Sequence, residues 1–125
     1  MKKLVEKEIC ILNTEYKVYL VSAEDEELIK YVNEYYKAEF TVDDVKAENQ
    51  GLTFYKTSCH PIIWLRKGVK YPLAVVAHEA VHAVNHIWEA VNETSKDEVY
   101  AHSIESIVRE AEISGIFNLT KKINK

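Results

Sequence analysis

Two histidines four residues apart, with a glutamate directly after the first, make His78-Glu79-Ala80-Val81-His82 the chemically richest segment of the chain. On a helix, an i, i+4 spacing places both imidazoles on one face, one turn apart. Two nitrogens held this way can share one zinc ion. Glu79, beside them, is positioned to take a proton from a water that the metal activates. The same pattern also arises by chance on structural helices without metal, so the surrounding residues decide how far the reading extends.

The segment from about Tyr71 to Ala90 should be the helix that carries them, with Pro72 suited to its first turn. Leu73, Ala74, Val75, Val76, Ala77, Ala80, Val81, Ala83, Val84, Ile87, Trp88 and Ala90 are apolar, and so many of them predict a helix buried nearly all round. The exceptions, His78, Glu79, His82, Asn85, His86 and Glu89, fall on one stripe. A polar stripe on a buried helix is costly unless something satisfies it, and a metal ion would.

Catalytic zinc takes three protein ligands and leaves a position open for water. A third His six residues after His82, with a Gly three residues after it, would mark a metzincin. Those positions hold Trp88 and Asn85. His86 continues the i+4 series but lies two turns from His78, which suits a role behind the ligands better than ligation. A second helix is expected from Ser95, where Ser95-Lys96-Asp97-Glu98 has the form of a capping box, to a stop at Gly115. Its apolar face is Tyr100, Ile104, Ile107, Val108 and Ala111; Glu98, His102, Glu105 and Arg109 lie opposite. Either Glu98 or Glu105 could supply a carboxylate ligand. Each also has a plain structural role, Glu98 as the capping partner of Ser95 and Glu105 in an i, i+4 pair with Arg109.

HExxH followed on the next helix by Glu98-Val99-Tyr100-Ala101-His102 resembles the gluzincin metallopeptidases, and in compact form small phage-encoded metallopeptidase-like proteins. The likeness covers roughly residues 53–110. It implies that Glu98 is the third zinc ligand, that Ala101 permits close approach of the helices, and that His102 orients a ligand. His102 departs from the Asp or Tyr usual at that place. The resemblance further implies a strand at a sheet edge ahead of the HExxH helix where a peptide docks by strand addition. The stretch His60 to Leu65 occupies that position, with Ile62, Ile63 and Trp64 as the docking residues. The fold implied is α+β and zincin-like: a small, mainly antiparallel sheet with an HExxH helix and a following glutamate helix.

The rest of the chain fits that frame. The 125 residues suggest one domain, and 47% hydrophobic with 29% charged residues predicts a globular chain that needs no disulfide staples. Net charge is −4 with no basic stripe, so a nucleic-acid partner is not expected. No apolar run reaches membrane-spanning length. The Met1-Lys2-Lys3 start has no signal-peptide pattern, which points to a reducing cytoplasm and leaves the Asn92 and Asn118 glycosylation patterns without meaning. Cys10 and Cys59 read as buried apolar residues. A strand is expected at Val18 to Val21, then a helix from Ala23 to Ala38 capped by Ser22, then strands at Gly51 to Tyr55 and His60 to Leu65.

The leading expectation is a zinc-dependent peptidase acting on a peptide or protein substrate. The alternative is a zincin-like binding or assembly protein, phage-derived, with zinc as a structural staple. At this length there is little room for a second wall to the cleft, which suits completion by a partner protein or a narrow substrate range. An intact Glu79 favours catalysis, because a structural site has no use for it.

Overall fold

A computed structural model describes residues 5–11, 16–45, 49–56, 60–90 and 96–115. The architecture is α+β: a four-stranded mixed sheet and, among the described residues, three helices. The strands are β1 (Val5–Cys10), β2 (Lys17–Ala23), β3 (Gly51–Phe54) and β4 (Ile62–Arg66). They lie in the order β1-β2-β4-β3. β1 pairs antiparallel with β2, β2 parallel with β4, and β4 antiparallel with β3. Two of the three pairings are thus antiparallel, as expected; the parallel one joins the two central strands.

β4 is therefore central, not an edge strand, and Ile62, Ile63 and Trp64 cannot form a docking edge. All three have no exposed surface. Ile62 and Trp64 belong to the core on one face of the sheet, and Ile63 and Leu65 to the core on the other. A strand covered on both faces reads as an unbroken apolar run, whereas a half-exposed strand alternates. Ile62-Ile63-Trp64-Leu65 is such a run. Pro61 lies just before the strand, where its missing N–H removes no ladder bond, and its carbonyl accepts from Tyr19 N–H at 3.0 Å.

One face of the sheet is covered by α1 (Asp25–Tyr36), through Leu28, Ile29, Val32 and Tyr36. Ser22 does not cap it. Ser22 lies within β2, fully buried, and the residue at the helix start is Glu24, which makes no side-chain cap. The acidic first turn, Asp25, Glu26 and Glu27, favours the helix dipole instead. Arg66 Nη1 meets Asp25 Oδ1 at 2.7 Å, and Trp64 Nε1 donates to the Ala23 carbonyl at 2.9 Å, so β4 is tied to the β2–α1 junction.

The other face carries α2 (Pro72–Ala90) and α3 (Lys96–Ser114). α2 packs on β3 and β4, and α3 reaches β1. Val76, Ala80, Ala83, Val84, Ile87 and Trp88 of α2 share a core with Ile107 and Ala111 of α3. Trp88 Nε1 donates to Ser103 Oγ at 2.9 Å, and Ser103 Oγ donates to the Val99 carbonyl at 2.7 Å. Gly115 ends α3 with φ +78°, a left-handed conformation that favours glycine, as the sequence suggests.

α2 is not buried all round. Leu73 and Val81 are 48% and 41% exposed, and Ala74 is exposed too. Sheet, edge strand and α3 cover three sides of it, and the fourth is open among the described residues. Of the polar stripe, His78, His82 and Glu89 are exposed, Asn85 and His86 are partly so, and Glu79 is buried, so the stripe as a whole does not need an ion to offset burial. One further expectation changes, the burial of Cys10. β1 is a strand that the polar pattern Glu6-Lys7-Glu8 conceals, and its alternation sends Ile9 and Ile11 inward and Cys10 outward, so Cys10 is exposed. Cys59, Asn92, Ser95 and Asn118 lie outside the described residues. No helix among the described residues is long and apolar enough to cross a membrane.

The central position of β4 is open to a direct check. Ile63→Ala should cost about 2–5 kcal/mol, because it opens a cavity under α2. Urea unfolding measures this; a loss below about 0.5 kcal/mol, normal for a surface residue, would contradict the topology.

Candidate metal centre

The site begins with a close approach between α2 and β3. Along β3, Leu52 and Phe54 pack on the α1 side, so Gly51 and Thr53 face α2. A Cβ built on Gly51 would lie 2.5 Å from Val75 Cγ1 and 2.7 Å from the Trp64 carbonyl. Glycine is what lets the helix lie this close to the strand. Two residues on, Thr53 Oγ1 lies 2.7 Å from Glu79 Oε1 and 2.9 Å from the Glu79 carbonyl. Its single hydrogen serves these two acceptors.

Glu79 is thereby held in place, its side chain only 10% exposed. A carboxylate placed so low in the molecule needs a donor, and Thr53 supplies one. His78, next in the chain, turns outward with its side chain 72% exposed, and its Nε2 lies 3.9 Å from Glu79 Oε2. His82 is exposed on the same face, its ring centroid 5.4 Å from that of His78 and the planes at 73°. Zinc–nitrogen bonds of about 2.0–2.1 Å around a tetrahedral ion set two imidazole centroids roughly 5 Å apart, so this spacing suits a shared zinc. The structure thus brings His78, Glu79 and His82 together at one surface, with the glutamate inside and the imidazoles outside.

Glu98 is elsewhere. It lies on the face of α3 turned away from α2, 85% exposed, with Oε2 at 3.1 Å from His102 Nε2. Glu105 Oε1 is 3.2 Å from His102 Nδ1, and Glu105 Oε2 is 3.6 Å from Arg109 Nη1. The Trp88–Ser103 bond sets the register of the two helices and leaves Glu98 more than about 10 Å beyond His82 along the axis, at 1.5 Å of rise per residue. Among the described residues, no three His, Cys, Asp or Glu side chains converge as a metal-binding group. Two nitrogen donors fit zinc; neither Glu98 nor Glu105 completes the set in this arrangement. His102 belongs with the two glutamates on α3 and not with the histidines of α2. His86 stacks on Tyr55, centroids 4.9 Å apart and planes at 28°, at the far end of β3.

A cavity of about 300 Å³ opens beside the motif, lined by Gln50, Gly51, Tyr71, Ala74, Val75, His78 and Glu79. His78 and Glu79 are legible in the sequence as site residues, whereas Thr53, Gly51, Gln50 and Ala74 are not. The only signal in the chain was a glycine opening a strand with a threonine two residues later. That pattern acquires meaning only once the strand is known to lie beside Glu79. No family model matches the chain, and no curated protein and no solved structure matches it either.

Two outcomes follow from this geometry. Gly51→Ala should destabilise the fold by about 1–3 kcal/mol through overpacking against Val75 and the Trp64 carbonyl. A thermal melt unchanged from wild type would show that the helix is not held at that distance. His102 should titrate above its usual 6.5 in the metal-free protein, because it is hydrogen-bonded to Glu105 and lies beside the Glu98 charge. A raised folded-state value means that the cluster stabilises α3 fully below about pH 6.5 and loses that contribution as pH rises through the raised value. NMR titration of the ring proton checks this, and Glu105→Gln should lower the midpoint.

Proposed function

We propose that the protein is a zinc-dependent peptidase whose zinc is held by His78 and His82. The observation that carries this reading is the placement of Glu79. A glutamate needed only for helix formation would be expected in water. Here it is drawn inside, oriented by Thr53, and kept beside two exposed imidazoles at zinc-compatible spacing. Bound zinc supplies Lewis acidity and activates water. Glu79 takes the proton of the attacking water as oxygen bonds to the peptide carbonyl carbon, and passes it to the amine as the carbon–nitrogen bond breaks. Thr53 holds the carboxylate in the orientation that both transfers require. Among the described residues β3, not β4, is the edge strand beside the motif, and an extended peptide can add there. Zincin-like architecture, a cytoplasmic location and Glu98 as third ligand belong to the same proposal. Glu98 ligation requires the first turn of α3 to shift relative to α2.

The position of Glu98 favours a second reading in which the module binds zinc through a site that a partner protein completes, without hydrolysis. One set of variants separates the two. Wild-type protein should hold about one zinc per chain, lost in His78→Ala and His82→Ala. Glu98→Ala should weaken zinc affinity more than Glu105→Ala does. Glu79→Gln should keep zinc and fold while losing about 10²–10⁴ of the rate on a peptide library. No hydrolysis by zinc-loaded wild type would sink the peptidase reading, hydrolysis that survives Glu79→Gln would remove Glu79 as its base, and a folded, active, metal-free protein would sink zinc.

A further inference from the structure

We propose that β3 pairs with β3 of a second copy of this chain, antiparallel and about a two-fold axis at Thr53, so that the two sheets continue as one. The backbone gives the first argument. The Gln50 carbonyl accepts from Arg66 N–H at 3.0 Å, in the same register as the Gly51–Leu65 pair. Bonded and non-bonded residues alternate along an antiparallel ladder. Leu52 and Phe54 therefore also turn their backbone groups to β4, and Gly51, Thr53 and Tyr55 turn theirs outward. Among the described residues no strand meets that outer edge. A two-fold at Thr53 pairs it with Thr53 of the second copy through both N–H and C=O, and pairs Gly51 with Tyr55 in each direction. The outward groups are the ones the axis uses.

Side chains give the second argument. An edge strand is ordinarily guarded by charge. The other edge of the sheet is so guarded, because β1 carries Glu6-Lys7-Glu8. A two-fold at Lys7 sets Lys7 against itself and Glu6 against Glu8, and one at Glu6 or Glu8 sets a glutamate against itself. Like charges opposed in this way destabilise a strand pair. The stretch Gly51 to Tyr55 carries no charge, and Lys56 after it turns its Nζ to the Tyr36 carbonyl at 2.8 Å. The axis at Thr53 sets Leu52 against Phe54 on the α1 face, next to Phe40, which is 37% exposed and 5.6 Å from Phe54 between ring centroids. On the α2 face it sets Tyr55, 56% exposed, opposite Gly51, an aromatic ring beside a glycine that leaves room for it.

Helix spacing is the third argument. α2 packs on both β3 and β4, so its axis runs between them. Strands about 4.8 Å apart at the join then set α2 and α2 of the second copy about 10 Å apart, an ordinary packing distance. The second copy thereby walls the side of the cleft next to His78 and Glu79. An extended peptide needs the same edge, so the dimer is the closed form of the proposed enzyme. That consequence rests on the peptidase reading; the pairing does not.

Sedimentation of the wild-type protein over a range of concentrations should show a monomer–dimer equilibrium, with reducing agent present to keep the exposed Cys10 thiols apart. Amide exchange followed by ¹⁵N NMR should slow with concentration at Gly51, Thr53 and Tyr55 and stay unchanged along β1. Tyr55→Lys, which adds the missing edge charge, should raise the dimer dissociation constant at least about tenfold with an unchanged circular dichroism spectrum. A monomer up to the solubility limit overturns the pairing. A dimer whose new protection falls on Val5 to Cys10, or one indifferent to Tyr55→Lys, also overturns it. On peptide substrates, the rate per chain should fall over the concentrations at which the dimer forms, and a constant rate overturns the closed form. Absence of cleavage removes the peptidase reading and leaves the pairing decided by sedimentation.

Discussion

The contact between α2 and β3 is the constraint on which the candidate centre depends. Gly51 permits the helix to lie against the strand, Val75 fills the space that a side chain would take, and Thr53 then reaches Glu79. A residue with a Cβ at position 51 would push the helix outward, and the carboxylate would lose its donor. It would then turn to water, as most glutamates do. The buried carboxylate, the outward imidazoles and the shape of the cavity all follow from how closely a helix can approach a strand without a side chain between them.

The two helices on that face of the sheet divide their roles. α2 is anchored by the core on three sides and presents its chemistry on the fourth. α3 is anchored to α2 by Ile107, Ala111 and the Trp88–Ser103 bond, and turns Glu98, His102, Glu105 and Arg109 outward. Each ring nitrogen of His102 meets a carboxylate, so the two glutamates are engaged by their own helix. Metal ligation by Glu98 would have to compete with that pairing and with the register of the helices. A solvent-exposed pair of this kind is screened and contributes little, so the register and not the ion pair is the larger obstacle.

Some features were legible in the residues alone, and for local reasons. The i, i+4 spacing of His78 and His82 fixes their common face on any α-helix, whatever lies around it. Pro72 and Gly115 bound α2 and α3 through backbone constraints that act within a turn. The apolar run at Ile62 to Leu65 marked a strand, and the polar face of α3 was correctly placed opposite its apolar one. Properly weighed, the same run also indicated a central strand, because a chain covered on both faces has no reason to alternate.

The tertiary structure decided what depends on neighbours distant in sequence. Strand order moved the open edge from β4 to β3, since pairing partners are chosen by long-range packing. It showed one side of α2 open among the described residues, because an apolar residue such as Leu73 or Val81 carries no mark of whether another element covers it. It made Thr53 the partner of Glu79, 26 residues away, a contact that no local pattern encodes. It also separated Glu98 from His82, because helix register is set by how Trp88 and Ser103 meet across an interface. Residue spacing along each helix determines the chemistry available on its face; which faces meet is decided by the packing of the whole chain.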